Sequence, residues 1–238
     1  MTNSVASDSF DTLLNSYATK AAMGNQEGIA DLRLDEYEKT VFLNKAQETL
    51  VISLYNGRNP SGNSFEKTEE LRRYLAPLVE ESVLEPISNS AGIPLGDSSK
   101  HKFFTLPNNP AVWFIVFEEV TINDTSKPCF NADNKPVMEV VPVRHDEYNR
   151  LKKNPFRGAN NRRALRLDLS EDNIEIVCKY EVESYHLRYL RKPVDIDLVD
   201  GDEDAEFSEL PDSLHQRILE IAVEMALHSK GLIKNENK

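Results

Sequence analysis

With 238 residues and 39% hydrophobic side chains, the chain suffices for one large domain or two small ones, with a modest core and surface left for assembly to cover. A formal net charge of -12 excludes a surface that is one continuous nucleic-acid footprint, though not a local basic patch. Two cysteines, Cys129 and Cys178, without a CxxC spacing exclude a disulfide framework and a cysteine-based zinc site.

Residues 1–11 hold no Lys, no Arg and no apolar stretch, so no secretory leader is read there, and the longest apolar run, 111–117, is too short for a bilayer. A soluble product in a reducing cytosol is expected. The first eight residues are small and polar, which predicts a flexible arm. A short helix over 8–23 follows, with Phe10, Leu13, Leu14 and Tyr17 on one side, Gly24 as its stop and a turn over 26–29. The clearest helical periodicity covers 35–55. Phe42, Ala46, Leu50 and Leu54 recur every four residues, Tyr37, Val41 and Ile52 widen the stripe, and Asn56-Gly57 ends it. Another helix is expected from Ser64, with Glu66 and Lys67 in its first turn, Leu71, Tyr74, Leu75 and Leu78 as its apolar face and Pro77 near its end. Together they predict a helical hairpin over 35–79.

From Val83 onward Pro86, Pro94, Pro107, Pro110, Pro128, Pro136 and Pro142 punctuate the chain, and helices do not run through them. Strands are expected at 102–106, 112–122 and 137–143, with 112–120 reading as a buried strand and 124–135 as a hairpin loop. A short helix at 145–152 breaks at Asn154-Pro155. Strands at 163–169, 174–180 and 185–190 follow, and Lys192-Pro193 stops the last of them. An acidic stretch over 195–209, expected to be a mobile solvated loop, leads to Leu210-Pro211 and a terminal helix. Pro211 fits the first turn of that helix, and Asp212 and Ser213 offer capping oxygens. The fold class is α+β: an N-terminal helical hairpin, a central antiparallel β-rich region and a C-terminal amphipathic helix. The expected segments are an arm and short helix at 1–30, the hairpin at 31–80, the β-rich domain at 81–209, and the last helix and tail at 210–238.

Opposite charges lie close together in the last third of the chain. A basic stretch carries Arg144, Arg150, Lys152, Lys153, Arg157, Arg162, Arg163 and Arg166, with Tyr148 and Phe156 among them. The acidic stretch carries Asp195, Asp197, Asp200, Asp202, Glu203, Asp204, Glu206 and Glu209. Both sets read first as an assembly interface, because a head-to-tail contact between copies joins two different patches. A solvated surface is the plainer reading. A nucleic-acid-binding module using 144–166 is the alternative function, through phosphate contacts and aromatic stacking. The terminal helix adds a face of Leu214, Ile218, Ile221 and Met225, part of which is available to a neighbour.

No cofactor, metal or catalytic residue is assigned. Residues 57–64 nearly match a P-loop, but Asn63 replaces the lysine and the stretch follows a helix, so an inter-helix turn is expected. An EF-hand register around Gly201 puts Ile196, Leu198 and Phe207 at ligand positions, so calcium is not predicted. His101, His145, His186, His215 and His228 show no metal spacing, and no serine or cysteine sits in a nucleophile elbow. An enzyme ranks last among the readings.

Several short pieces occur in a recognisable order. They are His145-Asp146-Glu147-Tyr148, Asn154-Pro155-Phe156-Arg157, Arg188-Tyr189-Leu190-Arg191-Lys192-Pro193, and Leu210-Pro211 followed by His215, Ile218-Leu219, Ala222-Val223-Glu224 and Ala226. Asp35-Glu36-Tyr37-Glu38-Lys39, Gln47-Glu48 and Leu54-Tyr55-Asn56-Gly57 precede them. As a set, over residues 31–230, they resemble the ring or adaptor structural proteins of the head–tail neck in crAss-like tailed bacteriophages of gut Bacteroidales. The chain departs from that pattern in a longer, more acidic loop before Leu210. The resemblance implies a virion structural protein without an active site, assembled in the host cytoplasm, with no membrane contact. It implies a closed ring, twelvefold where it sits on a portal, with the portal and neighbouring neck or tail rings as partners and genomic DNA passing through. Acids facing the bore would repel phosphates and basic residues would face subunits.

Overall fold

The structure is a computed structural model that describes residues 1–23, 34–58, 64–65, 67–87, 101–123, 135–170, 172–199 and 202–231, with the side chains of 20–23 outside that set. The expected stop at Gly24, the turn at 26–29, Glu66, most of the P-loop-like stretch, Cys129, most of the 124–135 loop and Asp200 lie outside the described residues.

The chain order is α1 (Asn3–Met23), α2 (Glu36–Asn56), α3 (Glu69–Leu75), a 3-10 turn (Ala76–Leu78), β1 (Val79–Leu84), β2 (His101–Thr105), β3 (Val112–Asn123) and β4 (Val137–Pro142). Then come α4 (His145–Leu151), β5 (Arg163–Asp168), β6 (Asn173–Val177), β7 (Glu181–Arg191) and α5 (Asp212–Ser229). The class is α+β. Two compact units form: Met1–Leu78 with Pro193–Lys238, and Val79–Lys192.

In the helical unit, α5 packs on both α2 and α1. The Asp35 carboxylate caps α2 by accepting from the Glu38 N–H at 2.7 Å, Glu36 and Glu38 suit its positive end, and Gly57 ends it at φ 75°. Its buried stripe is Leu43, Ala46, Gln47, Leu50, Val51 and Leu54. Ala46, Leu50 and Leu54 are buried as expected, but the stripe widens toward Leu43, Gln47 and Val51 instead: Phe42 and Val41 are half-buried, and Tyr37 and Ile52 are exposed. Helix α3 begins at Glu69 rather than Ser64, because the Thr68 hydroxyl caps it by accepting from the Leu71 N–H. On α5, Leu214 and Ile218 are buried, whereas Ile221 and Met225 are half-buried. No side chain caps its start.

Two expectations fail here. Helix α1 starts at Asn3, not at residue 8, so the flexible arm is instead a helical turn. Ala6, Phe10, Leu14 and Ala18 recur every four residues and are buried, and the N–H groups of Asn3 and Ser4 donate to the carbonyls of Ala205 and Glu203. The same contacts hold the described part of the acidic stretch, which is a docked segment rather than a mobile loop. The Asn44 side chain donates to the Ile196 carbonyl and accepts from its N–H, at 2.9 and 2.7 Å. Gln47 donates to the Val194 carbonyl and accepts from the Ser208 hydroxyl. The Phe207 N–H donates to the Met1 carbonyl, and the Phe207 ring meets His215 edge-on at 5.4 Å.

The second unit is a seven-stranded sheet in the order β1-β7-β3-β4-β5-β6-β2. Every pairing is antiparallel except β4–β5, where α4 lies in the crossover. The sheet curls until its edges meet: after β1, Ile87 bridges Phe103 on β2, its N–H donating to the Phe103 carbonyl at 2.8 Å. Strand β1 was not foreseen, since its pairing along β7 comes from residues far along the chain. Strand β3 has the expected extent but is not buried throughout. Over 112–120 only Val120 is buried, and Phe117 is 52% exposed. Three register shifts against β7 bend it, and the sheet turns one face to its core. That core holds Phe104, Ile122, Met138, Val140, Ile176, Tyr185 and Leu187.

Candidate assembly interface

The basic stretch divides into residues already engaged and residues left over. Arg144 pairs with Asp146 at 3.1 Å, Arg150 with Glu147 at 3.5 Å, and the Lys152 ammonium lies 5.9 Å from the centre of the Tyr148 ring. Arg166 is drawn furthest inward. Its Nη1 is 2.9 Å from both Glu118 oxygens and its Nε 2.9 Å from Asp168, while the Tyr185 hydroxyl donates to Glu118 at 2.8 Å. The Arg166 and Glu118 side chains are 11% and 9% exposed. Burial pushes the Glu118 carboxyl above its ordinary range, against the pull of Arg166, and burial with the Glu118 charge drives the Tyr185 phenol far up. Burial also opposes the Arg166 charge, but Glu118 and its neighbours outweigh it and hold the guanidinium above its usual value. Arg163 is half-buried, with its Nε out of solvent.

Lys153, Arg157 and Arg162 remain. They are exposed and carry no ion pair among the described residues. Between them Phe156 is 85% exposed, the most exposed large apolar side chain described. The segment is nonetheless well formed. The Asn154 side chain accepts from the N–H groups of Phe156 and Arg157 at 2.9 and 3.2 Å, and the Gly158 N–H donates to the Asn154 carbonyl at 2.8 Å. A Cβ on Gly158 would stand 2.7 Å from the Leu151 carbonyl oxygen and 2.8 Å from that of Asn154, so only glycine closes this turn.

The acids belong to the other unit. Asp195, Asp197, Asp202, Glu203, Asp204 and Glu206 are exposed, and Glu209 is half-buried and accepts from the Val194 N–H. The sequence gives no hint that Asp8 and Glu36, from α1 and α2, join Glu203 around one cavity of about 200 Å³, with Asn3, Leu198 and Val199 in its wall. Only the docking of the acidic segment on the start of α1 brings them together. In the sheet unit a second recess of about 410 Å³ is lined by Trp113, Phe114, Glu118 and Arg166. Among the described residues no cluster of three His, Cys, Asp or Glu side chains is arranged for a metal ion, and no helix is long and apolar enough to cross a membrane.

On the sheet unit the geometry shows a preformed cationic loop with an exposed ring, and on the helical unit a docked acidic surface. The family described as phage tail ring protein 3/4 matches residues 1–238. Ring protein 3 of Bacteroides phage crAss001 is 41% identical over 239 residues, covering 97% of this chain and 96% of that protein. Ring protein 4/5 of the same phage is 28% identical over 238 residues, covering 92% and 90%. The chain therefore belongs to the phage tail ring protein 3/4 family and is a structural ring protein of the crAss-like phage kind.

Proposed function

We propose that copies of this chain close into a ring in the head–tail neck of a tailed phage virion, joining the portal to the tail and letting genomic DNA pass. The role is structural and involves no turnover. The ring is twelvefold where it meets the portal, its partners are the portal and the neighbouring neck and tail rings, and it assembles in the host cytoplasm. The observation that carries this reading is the separation of exposed charge. Lys153, Arg157 and Arg162 stand exposed on the sheet unit, and six acids of 195–206 stand exposed on the helical unit. A head-to-tail contact between copies neutralises both sets at once. Two ring proteins of one phage resemble this chain over nearly their whole lengths, which fits rings of one fold stacked along an axis.

The interface comprises the basic residues of 144–162 that remain at the surface and the acids of 195–209, with Ile221 and Met225 contributing the open margin of α5. Arg166 is better read as a brace inside its own unit. The remaining acids face the bore, where they keep phosphates from adhering. Reconstruction of the virion, or of a neck reconstituted from portal and ring proteins, tests this. The expected result is density for this chain as a closed ring between portal and tail; density elsewhere, or a bore lined by Arg157 and Arg162, refutes it.

A further inference from the structure

The wall of the cavity at the start of α1 is rich in acceptors, three carboxylates and the Asn3 Oδ1 among them. Asn3 is 7% exposed, and its Nδ2 donates to the carbonyls of Asp197 and Asp202 at 3.3 and 3.1 Å. Two carbonyl acceptors fix which end of the amide is nitrogen. Its Oδ1 is thereby left buried without a hydrogen-bond partner, an unfavourable state for a buried acceptor. Asp8, Glu36 and Glu203 are exposed on the same cavity and carry no ion pair among the described residues. Apart from the Ser4 and Ser7 hydroxyls in the wall, the nearby donors are already used. The N–H groups of Asn3 and Ser4 serve the carbonyls of Ala205 and Glu203, and Lys39 is held by Asp11 and Ser7. Such a lining calls for a cation that offers several donors over a wide span. A guanidinium has five in a planar fork, whereas a metal ion needs ligands drawn together, which these carboxylates are not. Leu198 and the half-exposed Val199 add an apolar lip.

We infer that this cavity receives Arg157 from a neighbouring copy of the chain, with that copy's Phe156 laid on Leu198 and Val199. The inference rests on the ring reading above and names the contact that closes the ring. The donor loop suits the task. The Arg157 side chain has no ion pair among the described residues, Phe156 is 85% exposed beside it, and the turn built by Asn154 and Gly158 sets the backbone of both before contact, so little backbone ordering remains. An aromatic ring and an arginine presented together are the side chains that most often anchor an interface. The cavity's charge rejects phosphate and accepts cations, and every copy carries both halves.

The test uses the full chain as wild type, Arg157→Glu, Glu203→Arg and the pair combined, followed by sedimentation equilibrium. Both side chains are exposed and unpaired, so thermal unfolding should match across the set. Self-association of the wild type, weakened about 100-fold by either single change and largely recovered in the double variant, supports the inference. Single variants that associate like the wild type overturn it while leaving the ring intact. A wild type that stays monomeric at its highest attainable concentration overturns the self-copy occupant, and the virion reconstruction still decides the ring. Loss of duplex DNA binding in Arg157→Glu with unchanged self-association overturns it in favour of a nucleic-acid contact.

Discussion

Arg166 and Glu118 meet with side chains 11% and 9% exposed, and an ion pair that deep is costly to break from one side alone. Arg166→Met leaves Glu118 buried with only the Tyr185 hydroxyl as donor, and is expected to cost about 3–5 kcal/mol in urea unfolding. Arg166→Met with Glu118→Gln should cost clearly less than Arg166→Met alone, because no orphaned charge remains; additive losses would argue against coupling. Asp212 makes a different case. Its exposed carboxylate accepts from the Met1 amine at 3.1 Å, and that hydrogen bond, with the amine's charge, holds its pKa below the usual carboxylate range. A depressed carboxyl pKa stabilises the folded state above the unfolded value, and the benefit fades as pH falls through the folded one. Thermal unfolding followed from pH 5 downward should show a loss that Asp212→Asn lacks, the two proteins converging in acid. The basic stretch shows what sequence hides at this scale. Arg157 and Arg166 look alike in a list of charges, yet one is exposed and the other is bound inside, since Glu118 lies 48 positions away.

The elements legible in the sequence are those whose signals are local. The periodicity and caps of α2, the apolar spacing of α5, and the β-branched and aromatic runs of β2 to β6 each lie within a window of neighbours. What was not legible depends on distant partners. The start of α1 leans on carbonyls 199 and more positions away, β1 on pairing with β7, and the acidic segment on Asn44 and Gln47. On α2 the recurrence placed Ala46, Leu50 and Leu54 rightly but took Phe42 where Leu43 is buried, because periodicity alone does not tell to which side the stripe widens until α5 is in place. These differences are measurable. Deleting residues 1–8 removes Ala6 and the ties to Ala205 and Glu203, so thermal unfolding should drop sharply; a free arm would be lost without effect. Phe10→Ala in the same helix should cost about 3–5 kcal/mol. In the donor loop, Gly158→Ala forces backbone oxygens apart and should cost about 1–3 kcal/mol, with faster amide exchange at Phe156 and Arg157.

For the whole molecule, the net charge of -12 and the exposed cations Lys153, Arg157 and Arg162 act on assembly in opposite ways. In the proposed ring, copies repel at long range, while the 153–162 loop and the acidic segment attract at short range. Salt screens both, but a contact with partly desolvated pairs is screened less than the diffuse repulsion. Ring formation should therefore rise from very low salt to moderate salt and fall only as salt weakens the contact itself. DNA behaves differently. Three unpaired cations beside one aromatic ring neutralise about three phosphates, which limits the slope of log affinity against log salt to about -3 on a duplex. The acids oppose even that. Association of copies and duplex binding, measured across one salt series, should thus diverge: association passes through a maximum while DNA binding is weak throughout and falls steadily. A slope steeper than about -5 would mean that residues beyond this loop grip phosphates, and the chain would then hold DNA rather than let it slide.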